Sequence, residues 1–313
     1  LIVRRVRIPE LAAGWSMQGA VSLGCGDIGE RVAGRCQVQN AHVTGVSRNP
    51  LACEAMRAAG IDAVQADLDD PAGLADIPVK DALIYYFAPP PREGVSDSRL
   101  RRWLACMDEA LPQRLVLIST TAVYGDTGGD WVTEQSALQP GPDRGRRRLG
   151  AETALLDWSG QTGVPVVILR VPGIYGPGRL PRTRLEKGLP VLNEAESGFT
   201  NRIHSEDLAT VCVAAAERGE PGAVYNVSYG RPGTMTEWFN DVADHLGLPR
   251  PAQISLAEAE SPVSKGMLSY VKESRRVSNR KVVGELGVEL SVSGLEVGWA
   301  GCGLGEEAGG WWS

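Results

Sequence analysis

Val21-Ser22-Leu23-Gly24-Cys25-Gly26-Asp27-Ile28-Gly29 is a short apolar run that enters the spacing G-x-G-x-x-G, and Glu30-Arg31-Val32-Ala33 continues it as a helix-like segment. In this spacing the first glycine lets the chain turn sharply off a strand. The second lets the backbone approach a pyrophosphate, and the third lets helix and strand pack closely. The start of the helix then offers unpaired N–H groups to the phosphates. With 38 glycines in 313 residues such spacings also arise by chance, so context carries the reading. A second strand-like segment, Ala41-His42-Val43-Thr44-Gly45-Val46, follows about 20 residues on. The stretch therefore reads as a dinucleotide-binding loop.

Working outward, β-like and helix-like segments alternate. Strands are expected at 18–23, 41–46, 60–66, 82–88, 114–119 and 164–170, with helices at 27–36 and 50–59. The strand segments are apolar runs that read as buried on both faces, as in a parallel sheet. The alternation implies right-handed crossovers and an α/β fold of Rossmann type, a doubly wound parallel sheet. After residue 175 the rhythm loosens. Gly176 to Pro181 is a loop, 205–218 a helix, 224–227 a strand, and 230–233 a turn marked by glycine and proline. A smaller C-terminal substrate lobe, interleaved with the last sheet strands, is expected there.

The expected organisation is an extension over 1–16, a dinucleotide-binding core over 17–175, a substrate lobe over 176–296 and a poorly ordered tail over 297–313. Leu1 to Ser16 lacks a sustained apolar stretch and a small-residue cleavage site, so it does not read as a signal peptide, and Met17 reads as the start. The tail, with its glycines and Trp311-Trp312, has no helical or strand period; it reads as disordered or as a reading-frame artefact.

Composition narrows the function. A 43% hydrophobic chain of this length can bury a large core. A formal charge of -6 and a pI near 5.3 argue against a nucleic-acid or anionic-membrane surface. No segment approaches the roughly 18 apolar residues of a membrane span. Six scattered cysteines without a C-x-x-C pair fit reduced, mostly buried thiols in the cytoplasm. His42, His204 and His245 lie far apart, and no metal site is expected.

Further motifs follow the glycine loop in order: Ala66-Asp67-Leu68, then Ile118 to Gly125 (ISTTAVYG), Arg170 to Gly178 (RVPGIYGPG), and Asn201 to Ala209 (NRIHSEDLA). From Gln18 to Gly287 the chain resembles the short-chain dehydrogenase/reductase superfamily, in its extended branch of NAD-dependent epimerases and dehydratases and their atypical relatives. The resemblance implies a cofactor held by Gly24, Gly26, Asp27, Ile28 and Gly29. It implies Asp67 and Leu68 flanking the adenine, Ala88 and Pro89 lining the adenosine side, and Pro172 and Ile174 beside the nicotinamide. Thr120 would occupy the catalytic Ser/Thr position, and Tyr124, Tyr175, Arg202 and His204 would stand at the substrate. Several of these have blander readings: Asp67 as a turn residue at a strand end, Pro89 as part of a rigid loop, Tyr124 and Tyr175 as packing, and His204 as a structural histidine.

The end of the second strand discriminates between cofactors. An acidic residue there would bind the ribose hydroxyls, but the chain has Ser47-Arg48-Asn49. That favours NADP(H) over NAD(H), with Arg48 and Ser47 on the 2′-phosphate; the other reading of Arg48 is a solvated surface arginine.

The resemblance breaks at Y-x-x-x-K. Aligning Asp143 to Glu152 on that pattern puts Arg144 at the tyrosine and Arg148 at the lysine. An arginine cannot deliver a proton near neutral pH, so Arg144 is no like-for-like acid. Arg148 can take much of the lysine's role through donation to ribose hydroxyls. The alternative is that Arg144, Arg146, Arg147 and Arg148 form a solvated basic helix start.

Two functions follow. The first is an NAD(P)-dependent oxidoreductase or epimerase acting on a sugar-nucleotide or small carbonyl or hydroxyl substrate, with Thr120, Arg144 and Arg148 at its centre. The second is an NADP(H)-binding sensor or regulatory protein that lacks the acid. Related proteins often pair through helices that here include Leu100 to Ala110 and Glu152 to Trp158; these segments suit a homodimer or ordinary packing on the sheet.

Overall fold

The computed structural model describes residues 19–107, 110–259 and 273–290. The expected extension at 1–16, Met17 as start and the tail at 297–313 lie outside the described residues. Seven strands form the central sheet: β1 (Gly19–Leu23), β2 (His42–Ser47), β3 (Asp62–Gln65), β4 (Leu83–Tyr86), β5 (Arg114–Thr120), β6 (Val166–Val171) and β7 (Val224–Asn226). Their order across the sheet is β3-β2-β1-β4-β5-β6-β7, and every pairing is parallel. The order reverses between β1 and β4, the switch point outside which open α/β sheets bind ligands. The expected Rossmann-type sheet is what the chain forms.

Helices α1 (Asp27–Val38), α2 (Pro50–Ala58), α3 (Ser98–Ala105), α4 (Asp143–Thr162), α5 (Ser205–Arg218), α6 (Met235–Leu246) and α7 (Arg280–Leu286) complete the main elements. One face of the sheet is covered by α1, α2, α5 and α7 through Val32, Cys36, Met56, Cys212 and Val282. The other face carries α3 and α4 through Leu100, Trp103, Leu155 and Trp158. Each such side chain, fully buried, contributes about 1.5–3 kcal/mol. Leu100, Trp103, Leu155 and Trp158 thus pack on the sheet.

One expectation about burial fails. The third strand is shorter than 60–66 and shows solvent-facing Asp62 and Gln65, because it is an edge strand with a neighbour on one side only. A third apolar cluster, missed in the sequence, joins Tyr175, Leu180, Leu185 and Val191 to Trp238, Phe239 and Val242 of α6. Its signal was Thr234-x-x-Glu237, which forms a reciprocal capping box at the start of α6. Among the described residues no helix is long and apolar enough to cross a membrane.

Candidate cofactor and substrate site

The three motif glycines have three different neighbourhoods. Gly24 leaves β1 at φ 79°, and a Cβ there would stand 2.7 Å from the backbone of Ala88. A Cβ on Gly29 would meet Ser22 Oγ at 2.6 Å, so the missing side chain lets α1 lie on β1. A Cβ on Gly26 would meet nothing within 4 Å. Gly26 is also the N-cap of α1 and provides no side-chain cap. The first turn of α1 thus lacks a side-chain cap beside a glycine with space around its Cα, a fit for a pyrophosphate. Asp27 turns its carboxylate away into ion pairs, at 2.8 Å from Arg31 and 2.5 Å from Arg179. Arg179 thereby ties the loop after β6 to the glycine loop, a link that sequence reasoning missed because 152 residues separate the partners.

At the adenosine end, Ser47 Oγ accepts from the Asn49 N–H at 3.2 Å, Asn49 caps α2, and Arg48 is exposed beyond them. Asp67 accepts from the Asp69 N–H at 2.9 Å, so it forms a turn at the end of β3. The Leu68 carbonyl accepts from Arg102 at 2.9 Å. Asp69 was not anticipated. It pairs with Arg99 at 2.5 Å, and Arg99 also donates to the Pro89 carbonyl at 3.0 Å. The hydrogen bond from Arg99 holds the Asp69 carboxyl below its ordinary range, and the charges of Arg102 and Arg48 add to this. The ends of β2, β3 and β4 are thus gathered with Ser47, Arg48, Asp67, Leu68, Ala88 and Pro89 on them.

Thr120 ends β5 opposite Val171 and accepts from the Ala122 N–H at 3.2 Å. The α4 helix is seated beside it because Gly145 rests on this turn; a Cβ there would lie 2.8 Å from the Ala122 carbonyl oxygen. Arg144 and Arg148 are one helical turn apart on α4. Arg144 pairs with Glu273 at 3.3 Å, and Arg275 reaches the same Glu273 oxygen at 2.6 Å. Arg148 is buried, its guanidinium 3.4 Å from the Ala88 carbonyl oxygen and 3.9 Å from Asp97. Burial lowers the Arg148 pKa while Asp97 opposes the shift, and burial raises that of Asp97. The reading of a solvated basic helix start therefore holds for exposed Arg146 but is corrected for Arg148, whose face of α4 is packed against the end of β4.

Tyr124, expected at the substrate, points its hydroxyl into the protein. It donates to Asn226 at 2.7 Å and accepts from Arg170 at 3.0 Å. Arg170 pairs at 2.8 Å with Glu152, which takes a 2.5 Å bond from Ser119. This buried chain anchors α4 to β5 and β6. Pro172 and Ile174 continue from β6 into a short strand, Gly173–Tyr175, which pairs with Arg202–His204. Tyr175 packs edge-on against His204 at 5.2 Å and Trp238 at 5.3 Å. His204 caps α5 by accepting from the Glu206 N–H at 3.2 Å through Nδ1. Burial lowers its pKa against the opposing charges of Asp207 and Glu206, so the ring is held towards its neutral form. Arg202 is buried at the start of the same strand. Glu206 clamps α5 to Arg31 and Arg35 of α1.

Residues 24–228 match the NAD dependent epimerase/dehydratase family. The chain is 30% identical to protein YeeZ of Escherichia coli K12 over 249 residues, covering 75% of this chain and 86% of YeeZ. A functionally unknown conserved protein from Silicibacter pomeroyi DSS superposes with a TM-score of 0.76 at 30% identity, covering 90% of this chain and 97% of that one. The UDP-glucose 4-epimerase of Thermus thermophilus, solved in complex with NAD, gives a TM-score of 0.74 at 21% identity, covering 91% and 97%. The match spans only 35% and 25% of the length of the first curated relatives it finds.

Proposed function

The chain belongs to the NAD dependent epimerase/dehydratase family, and on that premise we propose that it binds a nicotinamide dinucleotide at the carboxyl edge of its sheet and exchanges hydride with a sugar-nucleotide or a small carbonyl or hydroxyl compound. The observation that carries this reading is the open face of Gly26 at the uncapped start of α1, between two glycines whose packing forbids a side chain. The dinucleotide, when bound, supplies the hydride donor or acceptor. Residues 17–175 form the cofactor half of this reading and 176–296 the substrate lobe.

Gly26, Asp27 and Ile28 present their backbone to the pyrophosphate. Ser47 and Arg48 receive the adenosine ribose; a guanidinium where a carboxylate would bind ribose hydroxyls supports NADP(H) over NAD(H). Arg148 donates to the nicotinamide ribose from its seat between Ala88 and Asp97. Thr120 orients the reacting oxygen of the substrate, and Arg144, half-buried one turn away, supplies positive charge beside it. The named substrate of the Thermus structural relative, a UDP-sugar, supports the substrate class.

The test is a titration with NADPH and separately with NADH, following tryptophan quenching and energy transfer to the nicotinamide. Tight NADPH binding with much weaker NADH binding is expected. Binding of neither would overturn the reading.

A second reading has its own observation. Arg144, which the resemblance aligns with the family tyrosine, is engaged by Glu273. A protein of this kind binds NADP(H), is stabilised by it and turns nothing over. Arg144→Tyr together with Arg148→Lys separates the two readings, because activity gained points to relic chemistry and activity lost shows that the arginines take part.

A further inference from the structure

The start of α1 carries an acid where a dinucleotide would bring negative charge. Asp27 directly follows Gly26, in the first turn of the helix that the glycine loop offers to a pyrophosphate. The helix dipole favours a carboxylate at this end. The same carboxylate repels a diphosphate placed there, since like charges a few ångströms apart disfavour each other.

Two arginines offset it. Arg31, one turn along α1, reaches Asp27 Oδ1 through Nε at 2.8 Å, but its Nη1 is taken by Glu206 of α5. Arg35 pairs with the other Glu206 oxygen at 2.6 Å. The two arginines of α1 are thus matched by two carboxylates. Arg179 is the third cation, its Nε 2.5 Å from Asp27 Oδ2, and it turns these balanced charges into a group with net positive charge. The two side chains are only 19% and 24% exposed, so solvent screens this pair less than one on an open surface.

Arg179 does not come from the glycine loop or from α1. It stands on the loop that follows Gly173–Tyr175, and that loop is pinned on both sides of it. On one side Gly176, at φ 144°, packs so closely on the start of α5 that a Cβ there would run into Ser205 Oγ. The Arg179 N–H donates to the Gly176 carbonyl at 3.1 Å. On the other side Leu180 is buried in the apolar cluster of Trp238 and Phe239. The charge that offsets Asp27 is therefore delivered from the far half of the chain, and it reaches the helix start only while the loop at 176–181 is seated.

We propose that Arg179 is a positioning residue that makes dinucleotide binding conditional on the seating of this loop: by neutralising Asp27 it lets the start of α1 accept a diphosphate, so that the loop after Tyr175 governs retention of the cofactor. The proposal rests on the reading of the glycine loop as the dinucleotide site and adds its regulation.

The test titrates the full chain with NADPH by fluorescence and follows NADPH release in stopped flow on mixing with excess NADP+. Arg179→Met should weaken NADPH binding by about tenfold, chiefly through faster release. Arg179→Lys keeps the charge and should bind within about threefold of the wild type. Adding Asp27→Asn to Arg179→Met should return binding to within about twofold of the wild type, because no carboxylate is then left to offset. Asp27→Asn alone leaves the loop untouched and should bind NADPH at least as tightly as the wild type. Equal NADPH binding by wild type and Arg179→Met would overturn the proposal, and so would weaker binding by Asp27→Asn. A double variant as weak as Arg179→Met would also overturn it, by showing that Arg179 acts by holding the loop or by touching the ligand itself. Failure of the wild type to bind either NADPH or NADH overturns the dinucleotide reading and the proposal with it, whereas wild-type binding with an unaffected Arg179→Met overturns the proposal alone.

Discussion

The glycine loop and the first turns of α4 both touch Ala88, yet they are built from different material. At the loop the chain excludes side chains: Gly24 and Gly29 have no room for a Cβ, and Gly26 keeps a face open. At α4 the chain adds charge, with Arg144 on Glu273 and Arg148 against Asp97 and the Ala88 carbonyl. The loop has the glycine spacing of a dinucleotide-binding turn, whereas α4 carries arginines at 144 and 148, where the resemblance implies a tyrosine and a lysine. The difference teaches that binding and chemistry have separable requirements. A backbone cradle depends on local conformation, while acid-base work depends on one side chain that can be replaced without disturbing the cradle.

The comparison can be broken most severely from the α4 side. Glu152→Ala should cost about 3–5 kcal/mol in denaturant unfolding, because it leaves the buried Arg170 cation without its partner. A loss within the error of the measurement would show that α4 is not anchored through this pair.

The next effect is on the loop. Gly24→Ala should cost about 1–3 kcal/mol through the contact with the Ala88 backbone, with further strain from the positive φ. Gly26→Ala has space and should leave stability within about 0.5 kcal/mol. It should nonetheless weaken dinucleotide binding by about tenfold, since its methyl group would occupy the open face. Equal binding by wild type and Gly26→Ala, in the same fluorescence titration, would remove the loop from the cofactor site.

The smallest effect concerns the cap of α5. His204 has a folded pKa below its unfolded value of about 6.5. The unfolded chain therefore takes up the proton first. Stability from this group is full above about pH 6.5 and is lost as pH falls from there through the folded pKa. His204→Asn should keep the capping bond and abolish that slope in chemical unfolding measured between about pH 7 and 5. An unchanged slope would assign the pH dependence to other groups, such as Glu206. For Glu206, burial raises the pKa but Arg35 and Arg31 outweigh it, so its contribution fades at lower pH, below its unfolded value.

Much of the sheet was legible because apolar runs, glycine spacing and helix caps act over a few residues. The segments at 27–36, 41–46 and 205–218 emerged within two residues of the observed α1, β2 and α5. The site was legible unevenly. Asp67 and Thr120 sit at the strand ends where the motifs put them, but Tyr124 turned inward because Arg170 and Asn226, 46 and 102 residues away, bind its hydroxyl. Asp69, Asp97, Glu273 and Arg179 were overlooked since nothing local marks a surface-type residue as a partner.

The sequence by itself determined the parallel α/β sheet, the glycine loop and the arginines at 144 and 148, where the resemblance implies a tyrosine and a lysine. Each of these follows from the period of apolar residues or from the identity of one side chain. Only the tertiary structure decided which arginines are neutralised. Arg144, Arg148 and Arg170 find carboxylates 129, 51 and 18 residues away in sequence, while Arg202 meets an oxygen pair, a sulfur and a ring. Charge pairing depends on distance in space, which the crossovers of the sheet set and no short stretch of sequence records.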